Sequence, residues 1–126
     1  MAQLFLIKKT ENPVLSESTK AELLLSELKT ADSFVSRGVG LLSRKEIGQH
    51  EALWLRPCNN IHTFFMRFKI DCIFLDSKMR VQKIHSNIKP FRFVGPVWKA
   101  NSAIETAAGL CDMWQIKVGD QLYVVD

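Results

Sequence analysis

Short apolar runs separated by turn residues constrain this fold most, and residues 70–83 show the pattern best. Ile70–Leu75 is a dense, largely apolar run of strand length, as expected for a strand covered on both faces. Turn-forming residues follow at Asp76–Lys78, and Met79–Gln82 then alternates apolar and polar side chains with the period of a β-strand. The pattern predicts a β-hairpin, with a bulge near Lys83 where the alternation slips.

The rest of the chain divides into segments of similar length. Glu22–Lys29 fits a helix or a strand by its periodicity, and we favour the strand. Ser33–Leu42 favours a short helix after N-cap candidates at Ala31–Ser33, and Leu110–Ile116 favours a helical turn before a tight turn at Lys117–Asp120. The remaining expectations are strands at Ala2–Lys8, Ala52–Leu55 and Leu122–Val125, and a turn-rich connection at Thr10–Thr19.

These elements predict a mainly β protein. We expect a compact single-domain β-sandwich or barrel-like fold with one or two short helices, formed by residues 1–126 as one domain. The chain has no internal repeat and no low-complexity linker, and its 126 residues are the size of one domain. Its 47% hydrophobic and 24% charged residues are typical of a globular protein rather than a disordered or fibrous one.

Positive charge is concentrated in the middle third of the chain. Residues 56–99 contain nine Lys or Arg against two Asp or Glu, whereas the segments on either side are neutral or acidic. Such a segment attracts phosphate, nucleic acid or other anions, although scattered cations on outward strand faces give the same count. Aromatic residues beside the cations suggest base stacking, but no nucleic-acid motif is present, so we do not expect a nucleic-acid partner.

The sequence also bears on compartment and redox state. No apolar run approaches the roughly 20 residues that span a bilayer, so we expect no membrane partner. The apolar stretch Leu4–Ile7 precedes two lysines, the reverse of a signal peptide, and we therefore expect a cytoplasmic protein. The three cysteines form no CxxC pair and are expected to be free thiols: Cys58, Cys72 and Cys111.

Four segments carry a family resemblance. They are SRGVGLLSR (Ser36–Arg44), LWLRPCNNIHTFFMRFKIDCIFLD (Leu53–Asp76), KPFR (Lys89–Arg92) and VGDQL (Val118–Leu122). In this order they resemble the signature segments of domain-of-unknown-function family 192, over residues 31–126. The resemblance implies a small, mainly β domain from a bacterial or archaeal group without an established activity, and we expect a bacterial source. The family pattern has a glycine where this chain has Ser43, a glycine at the hairpin near Met79 and a Leu-Pro-Ala-Gly-like stretch where this chain has Thr106–Gly109, so the resemblance is weaker at turns than in the central segment.

The central segment, from Arg56 to Asp71, contains the candidate catalytic residues Cys58, His62 and Asp71. In one interpretation, Cys58 is a thiolate nucleophile, His62 takes its proton and Asp71 orients the imidazole. In a second, the same three side chains offer S, N and O ligands to a metal, but no fourth ligand accompanies them, and we predict no metal and no other cofactor. In a third, Asp71 accepts hydrogen bonds from His62, Thr63 or backbone N–H groups and only organises the fold.

We favour a non-enzymatic binding or accessory module that takes a small anionic or polar ligand. Two guanidinium groups in the segment suit a carboxylate or phosphate. The candidate ligand-binding residues are Arg56, Cys58, Asn59, His62, Thr63, Arg67 and Asp71. The alternatives are a thiol-dependent enzyme using Cys58 and His62, and binding of nucleic acid or another anion through the basic middle third.

Overall fold

The computed structural model describes residues 2–9, 19–42 and 44–126. Its strands are β1 (Ala2–Lys9), β2 (Thr19–Ala31), β3 (Glu51–Leu55), β4 (Ile61–His62), β5 (Ile70–Leu75), β6 (Val81–Ile88), β7 (Phe93–Val94), β8 (Ser102–Ala107) and β9 (Gln121–Val125). The helices are α1 (Phe34–Val39) and α2 (Leu110–Trp114). Within these described ranges, neither helix is long and apolar enough to cross a membrane.

One large sheet dominates the architecture. Its seven strands run in the order β6-β5-β8-β3-β2-β1-β9, and β4 pairs with β7 in a separate two-stranded sheet. All neighbouring pairs in the large sheet are antiparallel except β2 and β3, which are parallel. Among the described residues, a single β-bridge, between Arg80 and Gln121, joins the two ends of the sheet without a continuous strand pairing, so the sheet is not a closed barrel.

The predicted fold class is confirmed: the protein is mainly β, in one compact domain with two short helices. The ambiguous segment Glu22–Lys29 is indeed strand, as part of β2. The hairpin of β5 and β6 also forms, and its bulge leaves Gln82 unpaired, one residue before the predicted position. The expected connection at Thr10–Thr19 lies outside the described residues, except for Thr19, which begins β2.

The helix at Ser33–Leu42 is confirmed as the shorter α1, and its start shows why the chain turns there. Ser33 is the N-cap, and its hydroxyl accepts a hydrogen bond from the Ser36 backbone N–H at 3.0 Å. The Ser36 side chain returns the contact by accepting from the Ser33 backbone N–H, which completes a capping box.

The strand β5 is buried throughout because apolar clusters cover both faces of the sheet. Ile73 and Leu75 pack with Leu110 and Trp114 of α2, on the side that we call the α2 face. Cys72 and Phe74 point the other way, to the side that we call the loop face, and pack with buried residues of β4 and of the surrounding loops: Leu41, Ile61 and Met66.

The pairing of β5 with β8 places two buried acids on opposite faces. Asp71 pairs with Thr106, and Cys72 pairs with Glu105. Since directly opposed residues share a face and successive residues alternate, Asp71 lies on the α2 face and Glu105 on the loop face.

Candidate ligand-binding cleft

Asp71 serves as an anchor between three elements. It is 0% exposed, and its Oδ1 accepts a hydrogen bond from the Asn87 backbone N–H at 2.9 Å. Its Oδ2 accepts from the backbone N–H groups of Gly109 at 3.1 Å and Cys111 at 3.0 Å, at the start of α2, where no side chain of the helix itself provides a cap. These hydrogen bonds fit the third interpretation above, in which Asp71 only organises the fold. Their donors, however, come from β6 and the start of α2 rather than from the loop that contains His62.

Thr63 fastens two loops together. Its hydroxyl donates to the Lys89 carbonyl at 2.6 Å and accepts from the Arg92 N–H at 2.9 Å. Its backbone N–H donates to the Arg92 carbonyl at 2.8 Å, and its carbonyl accepts from the Phe91 N–H at 2.9 Å. Thr63 is completely buried, and these bonds satisfy its polar groups within the protein. The side chain thereby holds the 63–66 turn against residues 89–92.

A cleft of about 570 Å³ opens on the loop face of the sheet. Its walls come from the end of α1 and the following turn, the loop after β3, and the turn before β8. The lining residues are Arg37, Gly38, Gly40, Leu41, Leu42, Leu55, Pro57, Cys58, Asn59, Asn60, Ile61, His62, Met66, Ala100, Asn101 and Glu105. The apolar residues of this lining are interspersed with polar and ionisable ones, and a concavity of this size and mixed lining suits a small molecule.

Glu105 is the most unusual residue of the cleft. It lies on β8 between Leu53 of β3 and Cys72 of β5, and only 4% of it is exposed. No hydrogen bond or ion pair to its carboxyl group occurs among the residues that the structure describes, although its oxygens keep some access to the cleft, and burial raises its pKa to about 7. The carboxyl group therefore changes its charge near neutral pH at the inner end of the cleft.

The Cys58 thiol also lines the cleft, in a protonated state. Its Sγ donates a hydrogen bond to the Asn60 carbonyl at 2.9 Å. Burial raises its pKa, and Glu105 adds to the effect, whereas Arg37 opposes it. Since the thiolate is the nucleophilic form, this environment favours an unreactive thiol.

His62 is exposed and its ring stacks on Phe64, with 5.4 Å between the ring centroids. Asp71 directs its carboxylate at the backbone on the α2 face, so the structure does not bring Cys58, His62 and Asp71 together as a triad. Across the described ranges, no group of three or more His, Cys, Asp or Glu is placed to hold a metal ion.

The structure brings three of the seven candidate ligand-binding residues to the cleft: Cys58, Asn59 and His62. Thr63 and Asp71 are buried within the fold as anchors. Arg56 is exposed, with its guanidinium 4.1 Å from the ring centre of Trp54, and Arg67 is exposed on the turn after Met66. The role of all seven in ligand binding stays a prediction.

Sequence reasoning missed Glu105 and the contribution of α1 to the cleft. Glu105 occurs in Ser102–Ala107, a strand that the sequence analysis did not predict, where an acid stands in an otherwise apolar and small-residue run. An acid within a run of apolar and small residues is the sequence signal by which Glu105 could have been identified. Arg37 is held at the cleft by donating from Nη1 to the carbonyls of Asp32 at 3.0 Å and Arg56 at 3.3 Å, which sequence alone does not reveal.

Comparison with known proteins identifies the family to which this chain is similar. The chain matches DUF192, a family described as "Uncharacterized ACR", over residues 15–124. The UPF0127 protein of Pyrococcus furiosus is 32% identical over 109 residues, which cover 82% of this chain and 91% of that protein. The UPF0127 protein of Pyrococcus horikoshii is 35% identical over 101 residues, which cover 76% of this chain and 85% of that protein.

The fold also has a match among crystal structures. A protein of unknown function from Novosphingobium aromaticivorans superposes with a TM-score of 0.75 at 18% identity, covering 96% of this chain and 83% of that one. The two UPF0127 relatives are archaeal, so the expected bacterial source is not confirmed and stays a prediction. The predicted resemblance is confirmed, and it begins at residue 15 rather than 31: this chain belongs to the DUF192 family.

Proposed function

We propose that this protein is a non-enzymatic binding module whose cleft on the loop face holds a small polar ligand. Glu105 is the observation that carries the proposal, because its carboxyl group lines the cleft, is 4% exposed and has no hydrogen-bonding partner among the described residues. A carboxyl group buried without a partner destabilises a fold by roughly 1–3 kcal/mol or more. A ligand that donates a hydrogen bond to Glu105 removes this cost, so the fold favours such a ligand.

The lining favours a ligand with an apolar body and a hydrogen-bonding end. Leu41, Leu55 and Met66 provide apolar contact, while the amides of Asn59 and Asn101 provide donors and acceptors. A hydroxyl or an amine suits the carboxyl group of Glu105 at any pH. A carboxylate or phosphate is accommodated only while Glu105 is protonated, below its pKa of about 7.

The state of Cys58 supports binding over nucleophilic catalysis. Burial raises the pKa of this thiol, whereas catalytic cysteines have a lowered pKa and a base within hydrogen-bonding distance. The hydrogen bond from Cys58 Sγ goes to the Asn60 carbonyl, which cannot take the proton. The cleft therefore has the features of a binding site without an activated nucleophile.

A thermal-shift screen of the whole chain tests the proposal. We would compare hydroxyl-bearing, amine-bearing and carboxylate-bearing metabolites and short glycans at pH 6 and pH 8. We expect stabilisation by at least one class, lost in Glu105→Leu, which removes the hydrogen-bonding group, and retained in Glu46→Leu, which changes an exposed acid outside the cleft. Carboxylates should act at pH 6 and not at pH 8.

A second variant blocks the cleft without changing its acid. Gly38 lines the cleft, and a Cβ added there meets no atom within 4 Å, so Gly38→Leu should fold normally and occupy space that the ligand needs. Loss of the thermal shift in Gly38→Leu, with the same unfolding temperature for the free protein or a higher one, locates binding in the cleft. The proposal fails if no class stabilises the protein, or if both cleft variants respond as the wild type does.

A further inference from the structure

Four phenylalanines form an exposed surface beside the cleft, which we call the aromatic surface: Phe64, Phe65, Phe91 and Phe93. Their exposed fractions are 40%, 76%, 55% and 59%, which is unusual for the most apolar aromatic side chain. Phe65 lies edge-on to Phe91 at 5.4 Å, and Phe64 lies 6.5 Å from Phe91. Phe93 pairs across β4 and β7 with His62, whose ring stacks on Phe64, so the four rings lie in one area.

The loops beneath the aromatic surface are held firmly. Thr63 links them through hydrogen bonds of its hydroxyl and its backbone with Lys89, Phe91 and Arg92. Phe65 and Phe91 have φ angles of +65° and +63°, in a region that suits glycine or asparagine and disfavours bulky residues. Neither ring contributes to the buried core, so the fold does not account for phenylalanine at these two positions.

Exposed cations adjoin the rings. Lys89 and Arg92 flank Phe91, and Arg92 Nη1 donates to the Phe91 carbonyl at 3.3 Å, which keeps the guanidinium beside the loop. Arg67 is exposed two residues after Phe65 in the sequence. The acids of residues 61–99 lie elsewhere, since Asp71 is buried on the α2 face and Asp76 is in the hairpin turn at the opposite end of β6. The aromatic surface is therefore positively charged, and neither acid of residues 61–99 lies beside it.

We propose that the aromatic surface binds reversibly to lipid surfaces with anionic headgroups. Apolar rings flanked by Lys and Arg are the features of interfacial membrane contact, where rings enter the headgroup region and cations pair with phosphates. Single-stranded nucleic acid is the less suitable anion, because base stacking needs free ring faces. Here the ring faces are partly taken by neighbouring rings, with Phe64 between His62 and Phe91. This proposal departs from the expectation of no membrane partner, which was based on the lack of a spanning segment in the sequence, because surface binding needs no such segment.

Vesicle sedimentation of the whole chain tests this inference. We expect cosedimentation with phosphatidylcholine vesicles that contain 30% phosphatidylglycerol, weakening as salt is raised, and little with phosphatidylcholine alone. Lys89→Gln combined with Arg92→Gln should weaken binding by about tenfold or more, since each cation near an anionic bilayer contributes about a factor of five. Phe65→Asn combined with Phe91→Asn should also remove most binding, and asparagine suits the backbone at both positions.

Matched controls lie near the other end of β6. Lys78→Gln combined with Arg80→Gln removes two exposed cations there, and Val118→Asn removes a 65% exposed apolar side chain near Val81. We expect these variants to bind vesicles as the wild type does, and circular dichroism to show that every variant is folded. Equal binding to neutral vesicles, no binding at low salt, or equal weakening by the controls would overturn the proposal. So would tighter binding to single-stranded DNA with the same dependence on Phe65 and Phe91.

Discussion

Two buried acids on neighbouring strands have opposite environments. Asp71 on β5 is 0% exposed and accepts three backbone hydrogen bonds, from Asn87, Gly109 and Cys111. Glu105 on β8 is 4% exposed and has no such partner within the described part of the chain. The two residues lie on opposite faces of the sheet, one against α2 and the other at the cleft. Burial alone therefore does not indicate the role of an acid in this protein, whereas its partners do.

The difference has an energetic consequence. The N–H groups around Asp71 replace the water that its carboxylate loses on folding, so this acid stabilises the junction of β5, β6 and α2. Glu105 accepts no hydrogen bond from the described residues, and its carboxyl oxygens keep some access to the cleft, while burial of the residue raises its pKa to about 7. One acid is committed to the fold, and the other is available to a ligand at the cost of some stability.

Asp71→Asn should have the largest effect. The amide keeps one acceptor but turns an NH₂ group toward N–H donors, leaving at least one buried donor unpaired. We expect a loss of about 3 kcal/mol or more in the free energy of unfolding, measured by urea denaturation at pH 7. Asp112→Asn, on the exposed side of α2, is the control and should change stability by less than about 1 kcal/mol. Equal effects of the two variants would remove the anchoring role of Asp71.

Glu105→Gln should act in the opposite direction, and its effect should depend on pH. Because the pKa of Glu105 rises from 4.5 to about 7 on folding, the folded state binds the proton more tightly. Its contribution to stability is therefore neutral below pH 4.5, falls as pH rises toward 7, and is constant above that. Between pH 4.5 and pH 8, the wild type should lose about 3 kcal/mol relative to Glu105→Gln, measured by urea denaturation across this range. A pH-independent difference between the two proteins would contradict an unpartnered acid at this position.

The reactivity of Cys58 gives a smaller test of the same cleft. The pKa of its thiol is raised by burial and by the neighbouring Glu105, so alkylation by iodoacetamide at pH 7.5 should be slower than that of an unfolded cysteine peptide. The buried thiols of Cys72 and Cys111, whose pKa values are also raised by burial, should react more slowly still. Mass spectrometry of the labelled peptides gives the three rates. A Cys58 rate above that of the peptide would favour the alternative function, a thiol-dependent enzyme, over a non-enzymatic binding module.

The sequence predicted much of the fold, because apolar periodicity and turn residues are local signals. The hairpin of β5 and β6, the strand in Glu22–Lys29 and the helix capped by Ser33 all follow from neighbouring residues. The missed strand β8 has mostly small or polar residues, SAIETA, and is buried only because β3 and β5 lie on either side of it. Its burial depends on tertiary contacts that no local pattern contains.

The candidate site was predictable only in part for the same reason. Sequence placed Cys58, Asn59 and His62 in one loop, and the structure puts all three at the cleft. It grouped Asp71 with them by proximity in sequence, whereas the alternation of β5 turns Asp71 to the other face. Glu105 and Arg37 reach the cleft from distant positions in the chain, through the register of β8 and the end of α1.

The titration of the Glu105 carboxyl carbon by ¹³C NMR tests the central claim most directly. The resonance can be assigned by its absence from Glu105→Gln, and its chemical shift can be followed from pH 3 to pH 9 in the free protein. We predict a midpoint near 7, as burial without a partner requires, and a displaced midpoint when a stabilising ligand is bound. A midpoint near 4.5, unchanged by every compound that stabilises the protein, would show that Glu105 is not the unpartnered acid of the cleft.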